Sequence, residues 1–477
     1  MTDKPKKMWS GRFSEETNSL MEVFSRSVEL DKRMWRDDIA GNRAWAEALM
    51  NAGIFTAQEF EQVDSALQVI AKEFAQERFQ FELADEDIHM AVERRLTELT
   101  GAIGARIHSG RSRNDQVMTD AQLYLKRAVG EWVSALTELQ QVLLNTAKLN
   151  EDAILPGYTH WQQAQPILLS HYLLAVFWGI YTTVDRLNDY YARLDILPLG
   201  SGALAGSGIP VNRKALAKRL NFAKISPNSL YATGSREVFA ELLFICGGFF
   251  THISRVSAEL QIWNTNEFGF VTFSDAFTTG SSMMPQKKNP DSLELLRGRS
   301  AAAISAANQL QILQRGLPMT YNRDLQEDKR VTFEQLDSAI LCTKVLAGTI
   351  EGASFNEERM IEACDSLLLA TDLADYLVRR GTPFRHAHDI VGNIVAEAIR
   401  RDCALEDLSL EDLNGFSDQF EKDVYTALDL RKSLQNRNID GGTGPKAVQR
   451  QIRLAEKAVA RMKKHPFLAR KNGEQRI

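Results

Sequence analysis

The segment from Thr279 to Asp291, Thr-Gly-Ser-Ser-Met-Met-Pro-Gln-Lys-Lys-Asn-Pro-Asp, concentrates the groups in this chain best suited to chemistry. Gly280 and the adjacent hydroxyls of Ser281 and Ser282 make an opening mobile enough to close over a substrate, and Lys287 and Lys288 supply ammonium groups. Hydroxyls and ammonium groups together suit a substrate that carries carboxylates. The segment ends in a helix-start signal, with Asn289 placed to cap, Pro290 at the first position and Asp291 complementing the helix dipole. Taken alone, Gly-Ser-Ser followed by lysines also describes an ordinary solvated loop.

Two more polar segments accompany it. His108-Ser109-Gly110-Arg111-Ser112-Arg113-Asn114-Asp115-Gln116 mixes Ser, Arg and Asn at the start of a long helical pattern, where a helix N-terminus can hold a carboxylate or simply be solvated. In Pro156–Pro166, His160 lies in a turn among Tyr158, Thr159, Gln162 and Gln163. A histidine there is either a hydrogen-bonded structural residue or one whose pKa is tuned for proton transfer.

The elements that must position these groups are helices. Gln116–Ala153 has one Gly and no Pro, with Val117, Leu123, Leu125, Val129, Val133 and Leu136 recurring mostly at helical spacing. Lys288–Leu313 and Lys329–Ile350 repeat the pattern, while alternating runs bounded by hairpin signals are hard to find. The chain is expected to be all-α with long central helices. Ile167–Ile180 and Val238–Phe250 are apolar on more than one face, so they need neighbours on every side, which points to a helical core shared between subunits. At 477 residues the chain exceeds one ordinary core. An N-terminal helical domain over 1–111, a central long-helix domain over 112–363 and a C-terminal helical domain with tail over 364–477 are expected.

Composition narrows the function. Lys and Arg total 57 against 62 Asp and Glu, a net charge of −5 that supplies no general nucleic-acid field, so the basic residues of the motifs act locally. Four widely spaced cysteines form no CxxC pair, and Cys246 sits in an apolar run, favouring a reducing compartment. The basic start is not followed by the apolar stretch of a signal peptide, and the apolar run Ile167–Tyr181 is too short to span a bilayer. The expectation is a cytoplasmic protein with no membrane or nucleic-acid partner. Leu199–Gly208 is rich in Gly but lacks a Gly-Lys-Ser/Thr ending and has no strand before it, so it reads as a tight connection between helices. The scattered His and Cys offer no cluster with metal-ligand spacing, and no cofactor is expected.

The Thr279–Asp291 string resembles the signature of the fumarase/aspartase superfamily, and its Gln-Lys-Lys-Asn-Pro-Asp version is similar to that of the argininosuccinate lyase and delta-crystallin branch. The resemblance extends from Met8-Trp9-Ser10-Gly11-Arg12-Phe13 to Gly441-Gly442-Thr443. It implies a three-domain fold whose central helices, five from each chain, form a homotetrameric twenty-helix core, with each site assembled from three subunits. It also implies elimination of argininosuccinate to arginine and fumarate. Such a reaction needs a base for the carbon-bound proton, groups that stabilise the aci-carboxylate dianion, and an acid for the leaving nitrogen.

Carried over by position, the resemblance makes Ser281 the base, Lys287 the stabiliser of the carbanion and His160 the acid–base group that protonates the leaving nitrogen. Ser282 remains a competitor for the base. Substrate-binding positions implied are Ser27, Asn114, Thr159, Asn289, Tyr321, Gln326 and Lys329. Gln and Tyr oxygens fit a guanidinium, and Lys329 fits a carboxylate. Asp87, His89 and Arg236 also fall on matching positions. Ser25, Asn42, Trp161 and Glu237 depart from the pattern without removing a named group. Two rival functions are a related lyase for another N-substituted aspartate and a non-enzymatic structural protein such as a lens crystallin.

Overall fold

The computed structural model describes residue 15, residues 17–462 and residues 464–469. The Met8–Phe13 motif and two basic residues of the tail, Lys463 and Lys471, lie outside them.

After a short helix α1 (Ser19–Ser25), three helices form the N-terminal layer: α2 (Trp35–Asn51), α3 (Ala57–Ala75) and α4 (Ile88–Thr100). Gly53 and Gly101, both at positive φ, end α2 and α4 in a conformation that glycine adopts without strain. Five long helices follow: α5 (Arg113–Leu149), α6 (Leu169–Leu194), α7 (Glu237–Trp263), α8 (Asp291–Gln314) and α9 (Asp328–Glu351). They pack as a bundle in which α5 contacts α6 and α9, and α7 lies along α8. Trp132 of α5 knits it together, donating from Nε1 to Thr343 Oγ1 of α9 at 3.1 Å and meeting Phe249 of α7 edge-on. Cys246 of α7 is fully buried in this core, and burial pushes its thiol up to about 12, as suits an inert packing residue.

A second, smaller core gathers Leu373 and Leu377 of α10 (Ala370–Arg379), Ile394 of α11 (Phe384–Arg401) and Phe420. The chain then returns: α12 (Pro445–Met462) lays Val448, Ile452 and Ala455 on the main core.

The architecture is all-α, as expected, with long central helices. Large apolar residues stay uncovered on the bundle, among them Phe244, Leu295 and Ile312 at 61%, 61% and 69% exposure. Among the described residues α7 is long and apolar enough to cross a membrane, with a mean hydropathy of 1.3. The apolar run weighed from the sequence, Ile167–Tyr181, falls mainly in a different helix, α6. Glu237, Glu241, Arg255 and Glu259 lie toward the two ends of α7, and the value belongs to one 18-residue window of the helix.

Three corrections concern short elements. Pro156–Pro166 belongs to an antiparallel hairpin, β1 (Ile154–Thr159) and β2 (Gln162–Leu168), with a bulge at Gly157/Tyr158. A two-residue strand, Ile196–Leu197, does precede the Gly-rich string, paired in parallel with Lys224–Ile225. Asn289 does not cap α8. It sits in a two-residue strand, and Pro290 takes the cap position with no side-chain bond. Pairing Asn289 with Thr279 moves the helix start one residue along.

Candidate active site

The first part of the site grows from the start of α5. Ser112 caps the helix, and Asp115 closes a capping box with it. The other Asp115 oxygen accepts from the amides of Gly200 and Gly202 at 2.9 and 2.8 Å. The Gly-rich string therefore cradles a carboxylate of the chain itself and clamps the segment that carries Asn114.

Beside this clamp lies a cavity of about 280 Å³. Of the residues picked from the sequence, Ser27, Asn114, Tyr321, Gln326 and Lys329 line it together, although they come from distant parts of the chain. Ser27 donates to Asp31 Oδ2 at 2.6 Å, and Gln326 donates from Nε2 to the Ser25 carbonyl at 3.0 Å. Lys329, 4% exposed, donates to Asp328 Oδ1 at 2.8 Å, and the other Asp328 oxygen takes Arg236 Nε at 2.5 Å. Arg236 also lies 5.8 Å from the centre of the Tyr321 ring.

The lining carries both charges, Asp31, Glu86 and Asp87 with Arg113, Arg323 and Lys329, and several are already paired: Asp87 with Arg113 at 3.6 Å and Glu86 with Arg323. Burial and the neighbouring Asp87 charge push Asp31 up to about 7. Burial works the same way on Asp87, but Arg113 and His89 outweigh it and hold that carboxyl below its ordinary value. His108 is driven down to about 3 by burial and by Arg111 and Arg113, so its ring is neutral at neutral pH. A cavity lined by interleaved acidic and basic groups suits a zwitterion. Asp31, Glu86 and Arg323 were passed over in the sequence because each is one charged residue among many. Only the cavity singles them out.

Thr159 and His160 are elsewhere. The pairing of Thr159 with Gln162 leaves a two-residue loop, and both loop residues have positive φ, 53° for His160 and 61° for Trp161. That is the type I′ signature, usually met by Asn-Gly, so a His-Trp tip gives no hairpin signal in the sequence. Left-handed backbone at two non-glycine residues costs about 1–2 kcal/mol each, which marks the tip as a place where strain is tolerated. Thr159, His160 and Trp161 are all exposed. Gln163 anchors the hairpin, donating to the Ala363 carbonyl at 2.7 Å and accepting from the Asp365 amide at 3.1 Å.

Ser281 and Lys287, on the loop between two short paired strands, Thr279–Gly280 and Lys288–Asn289, form a third group with Asn289 of the second strand. The loop is largely exposed. Ser281 Oγ accepts from the amides of Met283 and Met284 at 3.3 and 3.0 Å, an arrangement that favours negative charge on that oxygen. Lys288 is tied to Asp275 at 2.5 Å, and Thr279 bonds Asp291. The Lys287 ammonium is exposed and makes no side-chain bond to another described residue.

Neither exposed group lines the cavity, so one chain brings together five of the ten chosen residues and leaves the other five on two separate projections. One buried trio, Asp38, His89 and Asp120, has ligand atoms within 4.8 Å of one another. Its geometry is that of an ion pair, with both carboxylates turned to the same ring nitrogen.

Comparison with known proteins places this geometry. Residues 11–304 match a family model described as lyase, and residues 367–435 one described as argininosuccinate lyase C-terminal. An argininosuccinate lyase from Roseiflexus sp. (strain RS-1) is 46% identical over 452 residues, covering 95% of this chain and 99% of the relative. A probable argininosuccinate lyase from Schizosaccharomyces pombe is 42% identical over 454 residues, covering 95% and 99%. Among solved structures, an EDDS lyase in complex with formate superposes with a TM-score of 0.82 at 26% identity, covering 96% of this chain and 93% of that one. The fold of a class II fumarase from Schistosoma mansoni is also similar, with a TM-score of 0.73 at 16% identity, covering 86% and 94%.

Proposed function

The chain belongs to the argininosuccinate lyase family, and we propose that it eliminates fumarate from argininosuccinate, releasing arginine, on a site completed by neighbouring copies of itself. The observation that carries this reading is the cavity, where Ser27, Asn114, Tyr321, Gln326 and Lys329 meet among acidic and basic side chains. Its carboxylates suit the cationic groups of the arginine half, and Lys329 and Arg113 suit that half's carboxylate.

The succinyl half is handled by the two projections. Ser281 removes the carbon-bound proton as an alkoxide, whose charge is favoured by the Met283 and Met284 amides. Ser282 accepts no such pair of amides among the described residues, which favours Ser281 as the base. Lys287, unpaired and exposed, is available to the dianion that forms next, and Asn289 and Thr159 bind its carboxylates. His160 delivers the proton to the leaving nitrogen.

A homotetramer assembles the site from three subunits. The separation of the three groups supports this, as do the uncovered Phe244, Leu295 and Ile312 on the long helices. The four free cysteines suit a cytoplasmic setting. The direct test is fumarate absorbance after adding argininosuccinate to purified protein. No fumarate from argininosuccinate, but fumarate from another N-substituted aspartate, would make the chain a related lyase. None from either would leave a structural role.

A further inference from the structure

At and behind the cavity wall, three ionisable groups are almost fully buried. Asp38, His89 and Asp120 are 0%, 1% and 1% exposed. His89 Nδ1 lies 2.7 Å from Asp38 Oδ1 and 3.1 Å from Asp120 Oδ2. Asp38 is well provided for: Gln116 Nε2 donates to it at 2.6 Å and Asn42 Nδ2 at 2.8 Å, and Arg111 in turn donates to Asn42 at 2.7 Å. Asp120 is not. Neither of its oxygens has a hydrogen bond of good geometry among the described residues, and the space beside it is closed by Gly41, where a Cβ would stand 2.9 Å from Oδ1.

A carboxylate buried with so little hydrogen bonding is destabilising unless a cation offsets it. The cation within reach is the His89 ring, and two carboxylates on one nitrogen need a proton there and a positive ring between them. With Nδ1 turned inward, the Nε2 edge is what His89 has left for the cavity it lines beside Asp31 and Asp87. We propose that Asp120 is a positioning residue for substrate binding: acting through His89, it holds a charged imidazole at the cavity wall, which keeps Asp87 ionised and ready for a cationic group of the substrate. Burial and the Asp38 charge push Asp120 up to about 7 while His89 pulls it down, so the charge in the core is shared by the Asp120–His89 pair, and His89 assists Arg113 in holding Asp87 ionised. This rests on the cavity being the arginine-binding part of the site.

The test is steady-state kinetics on Asp120→Asn, His89→Gln and the double variant. Asp120→Asn keeps the shape and removes the charge, and should raise KM for argininosuccinate roughly tenfold, the scale of a lost charged hydrogen-bond partner, while kcat changes by less than about threefold. If Asp120 acts through His89, adding its substitution to His89→Gln raises KM no further, whereas independent residues would multiply. Unchanged KM in Asp120→Asn, or multiplying effects, overturns the inference. Should Asp120→Asn fail to assemble, Gly41→Ala, whose methyl presses on Asp120, is measured with and without His89→Gln. A KM increase in both backgrounds, or in neither, has the same overturning meaning. Wild-type turnover of argininosuccinate separates the failures: without it the site reading falls, and with it only this inference does.

Discussion

The cavity at the start of α5 is enclosed by one chain, whereas the His160 turn and the Ser281 loop project from it uncovered. The cavity residues are held by buried partners: Lys329 by Asp328, Asp328 by Arg236, Asn114 by a helix start that Asp115 locks to the Gly-rich string. The projecting residues are held mainly by their own backbone, a two-residue hairpin loop for His160 and a turn of amides for Ser281. The contrast fits a division of labour. In the proposed reaction, ground-state binding falls to the buried wall, and the groups that meet charge only in the transition state fall to the segments proposed to be completed by another chain.

Substitutions that reach the chemistry should show the contrast most strongly. His160→Asn and Ser281→Ala are each expected to lower turnover by at least ~100-fold, the scale for losing a positioned acid or base, with much smaller changes in substrate affinity. Near-normal turnover in Ser281→Ala alongside collapse in Ser282→Ala would move the base to the second serine.

Next comes assembly. Mixing a His160 variant with a Ser281 variant under subunit exchange should restore part of the activity, because some mixed oligomers hold an intact site. Native mass spectrometry that shows exchange without any recovery would mean that each chain carries a full site and that the apparent separation is closed by movement within it.

The two lysines sharpen the division further. Lys287→Met should reduce kcat by about tenfold or more, since its ammonium is needed when the second negative charge develops. Lys329→Met should mainly raise KM, since its partner charge exists in the ground state. Equal losses of kcat from both would end the distinction between wall and projection.

The smallest effect concerns the wall alone. Burial opposes charge on His89, but the Asp120 and Asp38 carboxylates against its ring outweigh that and push it up to about 10 from 6.5. The folded state thus keeps a proton that the unfolded chain releases between those values. The stabilisation is complete below about 6.5 and is lost as pH rises toward 10. His89→Gln should make the alkaline fall in Tm shallower by a few degrees. An unchanged profile would place the proton elsewhere in the cluster.

Much of this was legible from residue order. Helical periodicity and scarce proline indicated an all-α chain, and the polar strings at 108–116 and 279–291 carried the resemblance to a lyase family, because helix propensity and local motifs are short-range properties. Ser112 and Asp115 marked the start of α5 on local chemistry alone. The hairpin at His160 escaped because its tip lacks the glycine that normally signals a type I′ turn. The cap at Asn289 was displaced because strand pairing with Thr279, a contact across the loop, competed for that residue. Tertiary structure alone decided that Ser27, Asn114 and Lys329 share one cavity, that the Gly-rich string binds Asp115 in place of a phosphate, and that Asp38 and Asp120 meet on one imidazole. Those outcomes depend on which distant groups are desolvated together, and burial converts ordinary aspartates and a histidine into a fixed pattern of charge that no local spacing encodes.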